Sequence, residues 1–252
     1  MEYLKSESLK IKRTSIRKIA VLAPVFLGLF SFYVQGFFFA TNNYNFWYGM
    51  IFPVIASLIA GMVMQKDSAM RERAVLSLPV DLKRVWFSKV MVAFGVIAGS
   101  CFIIFLETAL GEAVRIINGA QMYTGISVMR MLAGTVIMII CMSWQIPFVM
   151  VLNMKIGNMA SLIINSFLNI FFIVFAATKD IWILFPHCYT SRLEIPAMGI
   201  LPNGLMAVEG SQTFYPELLS SSVIIPGIII SIALFILFVL IGMKLYEKKE
   251  AL

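Results

Sequence analysis

The residues with chemistry of their own are few and scattered. Cys101, Cys141 and Cys188 share no C-x-x-C spacing, and two of the three fall inside apolar runs, where a thiol behaves as a small hydrophobe. His187 is the single histidine. With no second histidine and no Cys/His cluster, the chain offers no tetrahedral ligand set, and no metal site is expected. H-E-x-x-H and G-x-S-x-G are absent, as is any G-x-x-x-x-G-K-[ST] run whose backbone would cradle nucleotide phosphates. The expectation is therefore a protein that is not an enzyme, with no catalytic residue and no cofactor on this chain. Gln145, Asn165 and Asn169 are the main polar groups within apolar runs. At such positions amides bridge helices more often than they bind solute.

The densest ionisable cluster lies in the loop QKDSAMRERAVLSLPVDLKRVWFSK, residues 65–89. Asp67 is placed to cap a short helix carrying Met70, Ala74 and Leu78 at helical spacing, with Arg71, Glu72 and Arg73 beside them. Pro79 stops that helix, and Asp81 is placed to cap the next one. A compact amphipathic helix hung between two long helices is a lever, because whatever docks on it moves both. The same residues also suit a plain connector resting on lipid.

The elements around these residues follow from composition. Hydrophobic residues make up 60% of the chain and charged residues 13%, with a mean hydropathy of +0.91. A soluble domain carries roughly 25% charged residues to solvate its outside, so lipid must be the solvent here. A bilayer core of about 30 Å needs about 20 apolar residues per helix. Six segments meet this: Ile19 to Phe39, Trp47 to Met64, Val90 to Leu106, Met131 to Leu152, Met159 to Ala177, and Ile224 to Met243. The predicted fold class is an all-α membrane protein, one transmembrane domain over 1–252. Pro24, Pro53 and Pro147 lie inside apolar runs, which membrane helices tolerate when neighbours satisfy the freed carbonyls. Gly95 and Gly99, like Ala56 and Ala60, have the spacing that lets helix backbones approach.

Basic residues set the orientation. Lys5, Lys10, Lys12, Arg13, Arg17 and Lys18 precede the first span. Lys66, Arg71, Arg73, Lys83, Arg84 and Lys89 fill the loop after the second, Lys155 follows the fourth, and Lys244, Lys248 and Lys249 follow the sixth. The other side has Arg115, Arg130, Lys179 and Arg192. By the positive-inside rule both ends of the chain face the cytoplasm. The net charge of +7 is then a topology signal, and no nucleic-acid partner is expected.

Two flanking stretches carry further structure. Leu4, Leu9, Ile11 and Ile16 alternate with lysines and arginines, which predicts an interfacial helix over 1–18. The stretch 179–222 on the extracellular side is too apolar for a loop, yet its prolines and glycines prevent a full span. Short, partly re-entrant helices with protein covering their backbone fit it. Glu107, Glu112, Asp180, Glu194, Glu209 and Glu217 make that side acidic, read first as a solvated rim and second as an attractor of cationic peptides. No acidic or histidine relay is evident within the spans, so a pump of this sequence must draw its energy from another polypeptide.

MRERAVLSLPVDLKRVWFSK resembles the cytoplasmic loop of ABC-2 type transporter permeases, and LKSESLKIKRTSIRKIA resembles their N-terminal interfacial helix. FWYGMIFPVIASLIAGMVMQKD and IPAMGILPNG are similar to the lantibiotic-immunity permeases within that family. Ala74 and Val75 replace the Gly-Thr common in the broader family's loop. The resemblance implies the membrane subunit of an exporter in the bacterial cytoplasmic membrane, expelling cationic lanthionine peptides. It implies a separate ABC ATPase holding ATP and magnesium, docked on Met70, Arg71, Glu72, Arg73, Ala74 and Leu78, and a second, distinct permease chain. The competing classes are a non-transport scaffold or sensor partner, and an ABC-2 permease for another amphipathic drug or lipid-linked cargo.

Overall fold

The computed structural model describes residues 2–66, 81–119 and 125–248. Six helical stretches there are long and apolar enough to cross a membrane: Ser15–Val34, Gly36–Gln65, Leu82–Ile117, Val128–Ile156, Asn158–Ala176 and Ser221–Glu247. No strand is present among the described residues, only one isolated bridge between Ile200 and Met206. The fold class is all-α, as the apolar periodicity requires. The bundle has a basic face, at the end where the first span starts, and a far face at the opposite end.

The first 18 residues are not one helix. Helix α1, Glu2–Lys10, stops short, Arg13 adopts a left-handed turn with φ 64°, and α2, Ser15–Gln35, already begins the first span. Helix α1 packs on the start of α5, Leu82–Ile117. The Glu7 carboxylate there accepts from Lys89 at 3.0 Å, both side chains buried, and from Lys10 at 2.6 Å. Hydrogen bonding of this kind is what allows a charge to sit out of water.

The second span begins earlier than its apolar run. After a turn at Gly36, α3, Phe39–Phe46, carries the polar string TNNYN into the bundle. Three of its groups find distant partners: Asn43 donates to Thr108 at 2.9 Å, the Tyr44 hydroxyl meets Thr135 at 2.8 Å, and Asn45 donates to the carbonyl of Pro202 at 3.1 Å. A π-helical turn, Trp47–Ile51, joins α3 to α4, Phe52–Gln65. The cause is Pro53, which has no N–H to give Gly49 and displaces the ladder by one residue.

Helix α5 is capped as its sequence suggests, Asp81 accepting from the backbone N–H of Lys83 and Arg84 at 3.0 and 3.3 Å. Its 36 residues extend about 54 Å, well beyond a hydrocarbon core of about 30 Å. The fourth span is two helices, α6, Val128–Ser143, and α7, Gln145–Ile156, broken at Trp144 ahead of Pro147. Gly157, φ 82°, turns the chain directly into α8, Asn158–Ala176. Beyond the 3₁₀ turns Asp180–Leu184 and Pro186–Cys188 lies α9, Tyr189–Met198, and the last span closes with α10, Ile224–Glu247.

Burial divides the spans. Their most apolar windows are 67% and 61% buried in the second and fourth, but 28% and 17% in the fifth and sixth. The core therefore sits between α3–α4 and α6–α7. The Gly95 and Gly99 pair makes no close approach: nothing within 4 Å would meet a Cβ at either residue. Close packing occurs instead at Gly61 against Asn158 and at Gly242 against the Trp86 ring.

Candidate functional site

The far half of the second and fifth spans forms a groove open to the side. Its upper part, about 220 Å³, is walled by Asn45, Gly49 and Met50 from the second span, Ile170 and Val174 from α8, and Asn203 from the segment after α9. Ile170 and Val174 also border a more open apolar stretch of about 510 Å³. There Phe167, Phe171 and Phe175 stack in a ladder along α8, with centroids 5.8 and 5.6 Å apart. Helical i, i+4 spacing puts all three on one face, and the Lys179 ammonium caps the last ring at 4.3 Å. Gly204, φ 81°, closes the rim, with the Asn42 side-chain oxygen 2.5 Å from where a Cβ would stand. A side chain there would collide with the wall, so the close approach needs glycine.

Behind this groove the amides anticipated as bridges do bridge. Asn169 donates to the carbonyls of Tyr48 and Gly49 at 3.0 and 2.9 Å, meeting the acceptor that Pro53 leaves free. Gln145 donates to Asn169 at 3.2 Å, and Asn165 donates to Gln145 at 3.0 Å. Asn165 also donates to Ser57 at 3.2 Å and to the Pro53 carbonyl at 3.3 Å. One network thus joins the second, fourth and fifth spans. The same device operates at Pro24, whose freed carbonyl at Ala20 accepts from Ser100 at 2.7 Å.

Helix α9 lies against α6 and is buried over nearly its whole length. Arg130 donates to the Ala197 carbonyl at 2.9 Å, and Arg192 to the Leu218 carbonyl at 2.8 Å. Asn45 holds the carbonyls of Leu201 and Pro202 at 3.3 and 3.1 Å. His187, next to α9, is a neutral ring wedged edge-on against Trp144 at 4.7 Å, its pKa pushed down to about 4 by burial. Among the described residues no three of His, Cys, Asp and Glu gather as a metal would need.

The acidic rim requires correction. Asp180, Glu209 and Glu217 are exposed, but Glu112 is buried, Glu107 sits partly buried with an oxygen against Gly28, and Glu194 is 0% exposed. Packing of α9 against the fourth span removes Glu194 from water, and burial alone pushes its carboxyl up from an ordinary 4.5 to about 8. Sequence reading missed this group because its segment looks like a loop. The signal was an acidic residue framed by Leu193, Ile195 and Pro196 in an unusually apolar stretch. Reading also missed the phenylalanine ladder, whose spacing is visible in α8. Met70, Arg71, Glu72, Arg73, Ala74 and Leu78 lie outside the described residues.

Six apolar helices packed round a hydrogen-bonded core, with a lateral groove on one half, define a multi-pass helical membrane protein. Residues 3–172 match the ABC-2 family transporter protein model, and the chain belongs to that family of transporter membrane subunits. No curated protein and no solved structure matches it.

Proposed function

We propose that this chain is the permease subunit of an ATP-driven exporter that removes amphipathic cationic peptides of the lantibiotic type from the membrane, giving a bacterial cell immunity or resistance. The observation that carries the reading is the groove between the second and fifth spans. It opens sideways, towards lipid, and joins an apolar phenylalanine ladder to an asparagine-lined upper end. An amphipathic peptide offers both surfaces at once, its apolar side for the rings and its polar side for the asparagine-lined end. A pocket for a small polar solute has no use for a ladder of three phenylalanines on the lipid side.

In this reading both ends of the chain are cytoplasmic, and a separate ABC ATPase binds ATP and magnesium. It receives Met70, Ala74 and Leu78 in a surface groove while Arg71, Glu72 and Arg73 pair with its charges. The docking segment lies in the sequence between the second span and the Asp81 cap of α5, so closure of two ATPase subunits would move the second and third spans together. A second permease chain completes the transporter.

The test is survival. Sensitive bacteria expressing the chain with its ATPase and partner permease are expected to tolerate at least tenfold more lanthionine peptide than cells lacking it. Arg71→Glu with Arg73→Glu is expected to abolish both tolerance and ATPase co-purification while leaving insertion intact. Unchanged tolerance in that variant overturns the coupling assignment, and no tolerance in the wild type overturns the cargo.

A further inference from the structure

We propose that Glu194 is the counter-ion of a binding site for one organic cation, an ammonium or guanidinium group carried by an amphipathic molecule. This deepens the exporter reading, whose cargo carries such groups.

Both oxygens of the Glu194 carboxyl are buried without a hydrogen-bond partner, and the residue is 0% exposed. The Tyr48 and Ser191 hydroxyls, on residues equally buried, lie side by side next to it. Buried polar groups are almost always satisfied, and an exception calls for a reason. In the network a few residues away the side-chain N–H groups of Gln145, Asn165 and Asn169 do find acceptors. Glu194 also lacks a cation. The ionisable groups that act on it or feel it are Tyr44 and Tyr48 from the second span and Cys141 from the fourth, with Ser231 of the sixth beyond that thiol. None of them is basic, and among the described residues no lysine or arginine pairs with the carboxylate. Arg192, on the same helix, turns away to the Leu218 carbonyl.

The missing component is a donor that brings positive charge. An ammonium offers three N–H groups and a guanidinium five, enough to serve both carboxylate oxygens, with Tyr44 and Tyr48 close by. Gly134 leaves space for the carboxyl, since a Cβ there would stand 2.6 Å from Glu194 Oε2. Asn45 lines the lateral groove and also holds the carbonyls of Leu201 and Pro202, while Arg130 holds the carbonyl of Ala197. These side-chain-to-carbonyl bonds fasten the end of α9 and the segment after it, which borders the groove through Pro202 and Asn203. In this proposal the cation reaches the carboxyl when they release, and no ion pair is stranded.

A carbodiimide that partitions into membranes, dicyclohexylcarbodiimide, modifies buried protonated carboxyls and reads this site directly. The full chain is placed in phosphatidylcholine nanodiscs at pH 6.5, and modification of Glu194 is followed by mass spectrometry. Glu194→Gln serves as the blank and Glu194→Asp as the conservative control. Modification of Glu194 is expected, and dodecylammonium is expected to reduce it at least tenfold while dodecanol does not. A lysine-rich amphipathic peptide is expected to protect equally, and its fully acetylated form to fail. Protection by dodecylammonium but not by the peptide leaves the cation site standing and overturns the peptide cargo. Modification that neither cation reduces overturns the site, as does a Glu194 that is never modified between pH 6 and 9, because it is then ionised and paired.

Discussion

Two buried polar clusters share the bundle, and they are built on opposite terms. Around Asn165, Gln145 and Asn169, every donated N–H lands on an acceptor, including the carbonyls that Pro53 disturbs. At Glu194, beside Tyr48 and Ser191, neither carboxyl oxygen closes a hydrogen bond. Both clusters touch neighbouring residues of the second span. The first holds three spans in register. The second holds a carboxyl with no match, the feature on which the proposed cation site rests.

The two clusters should respond differently to substitution, and a like response would erase the distinction. The largest effect is expected from Asn169→Leu, which strands the Tyr48 and Gly49 carbonyls in an apolar interior. A loss of about 2 kcal/mol is expected in denaturant titrations of the chain in nanodiscs, since interhelical hydrogen bonds in membranes are modest but orphaned carbonyls add to the cost. A wild-type midpoint would make the network ornamental. Ser100→Ala, removing the donor to the single Ala20 carbonyl, is expected to lose about 1 kcal/mol by the same measurement.

Glu194→Gln is expected to do little at low pH, changing stability by less than about 0.5 kcal/mol at pH 5, because the wild-type carboxyl is neutral there and already unpaired. The pH trend then separates the pair. A carboxyl raised from 4.5 to about 8 on folding keeps its proton in the folded state while the unfolded chain releases one. Wild-type stability is therefore full below pH 4.5 and declines as pH rises towards 8. The glutamine variant lacks this slope, and parallel curves would show that Glu194 is already solvated or paired. The smallest effect belongs to Gly95→Ala and Gly99→Ala. With nothing within 4 Å of either added methyl, stability should stay within about 0.5 kcal/mol of wild type. A large loss would mean that these glycines meet another chain in the membrane.

What could be read from the sequence was what depends on local composition. Apolar run length gives six spans, and the rule that prolines need helpful neighbours is met at Pro24 by Ser100 and at Pro53 by Asn169. Asp81 announced its cap. The misreadings have a common cause, namely long-range packing that one-dimensional patterns do not carry. The string TNNYN looks like a break between spans, but Thr108, Thr135 and Pro202 supply partners from sites far along the chain. Glu194 looks like part of a solvated rim because only the fold lays α9 against the fourth span. Gly95 and Gly99 look like an interface because small-residue spacing says that backbones can approach, not that a partner is there.

The buried pair between Glu7 and Lys89 sets an order of events in time. The two residues are 82 positions apart. A ribosome adding about 5–20 residues per second makes Glu7 roughly 4 to 16 seconds before Lys89. During that interval α1 has no place to dock, and the first span must insert with its preceding segment still loose. When Lys89 emerges at the start of the third span, it is a cation entering an apolar helix and is costly to leave alone. The waiting carboxylate of α1 then neutralises it, so a segment made before the first span settles only after the third has begun.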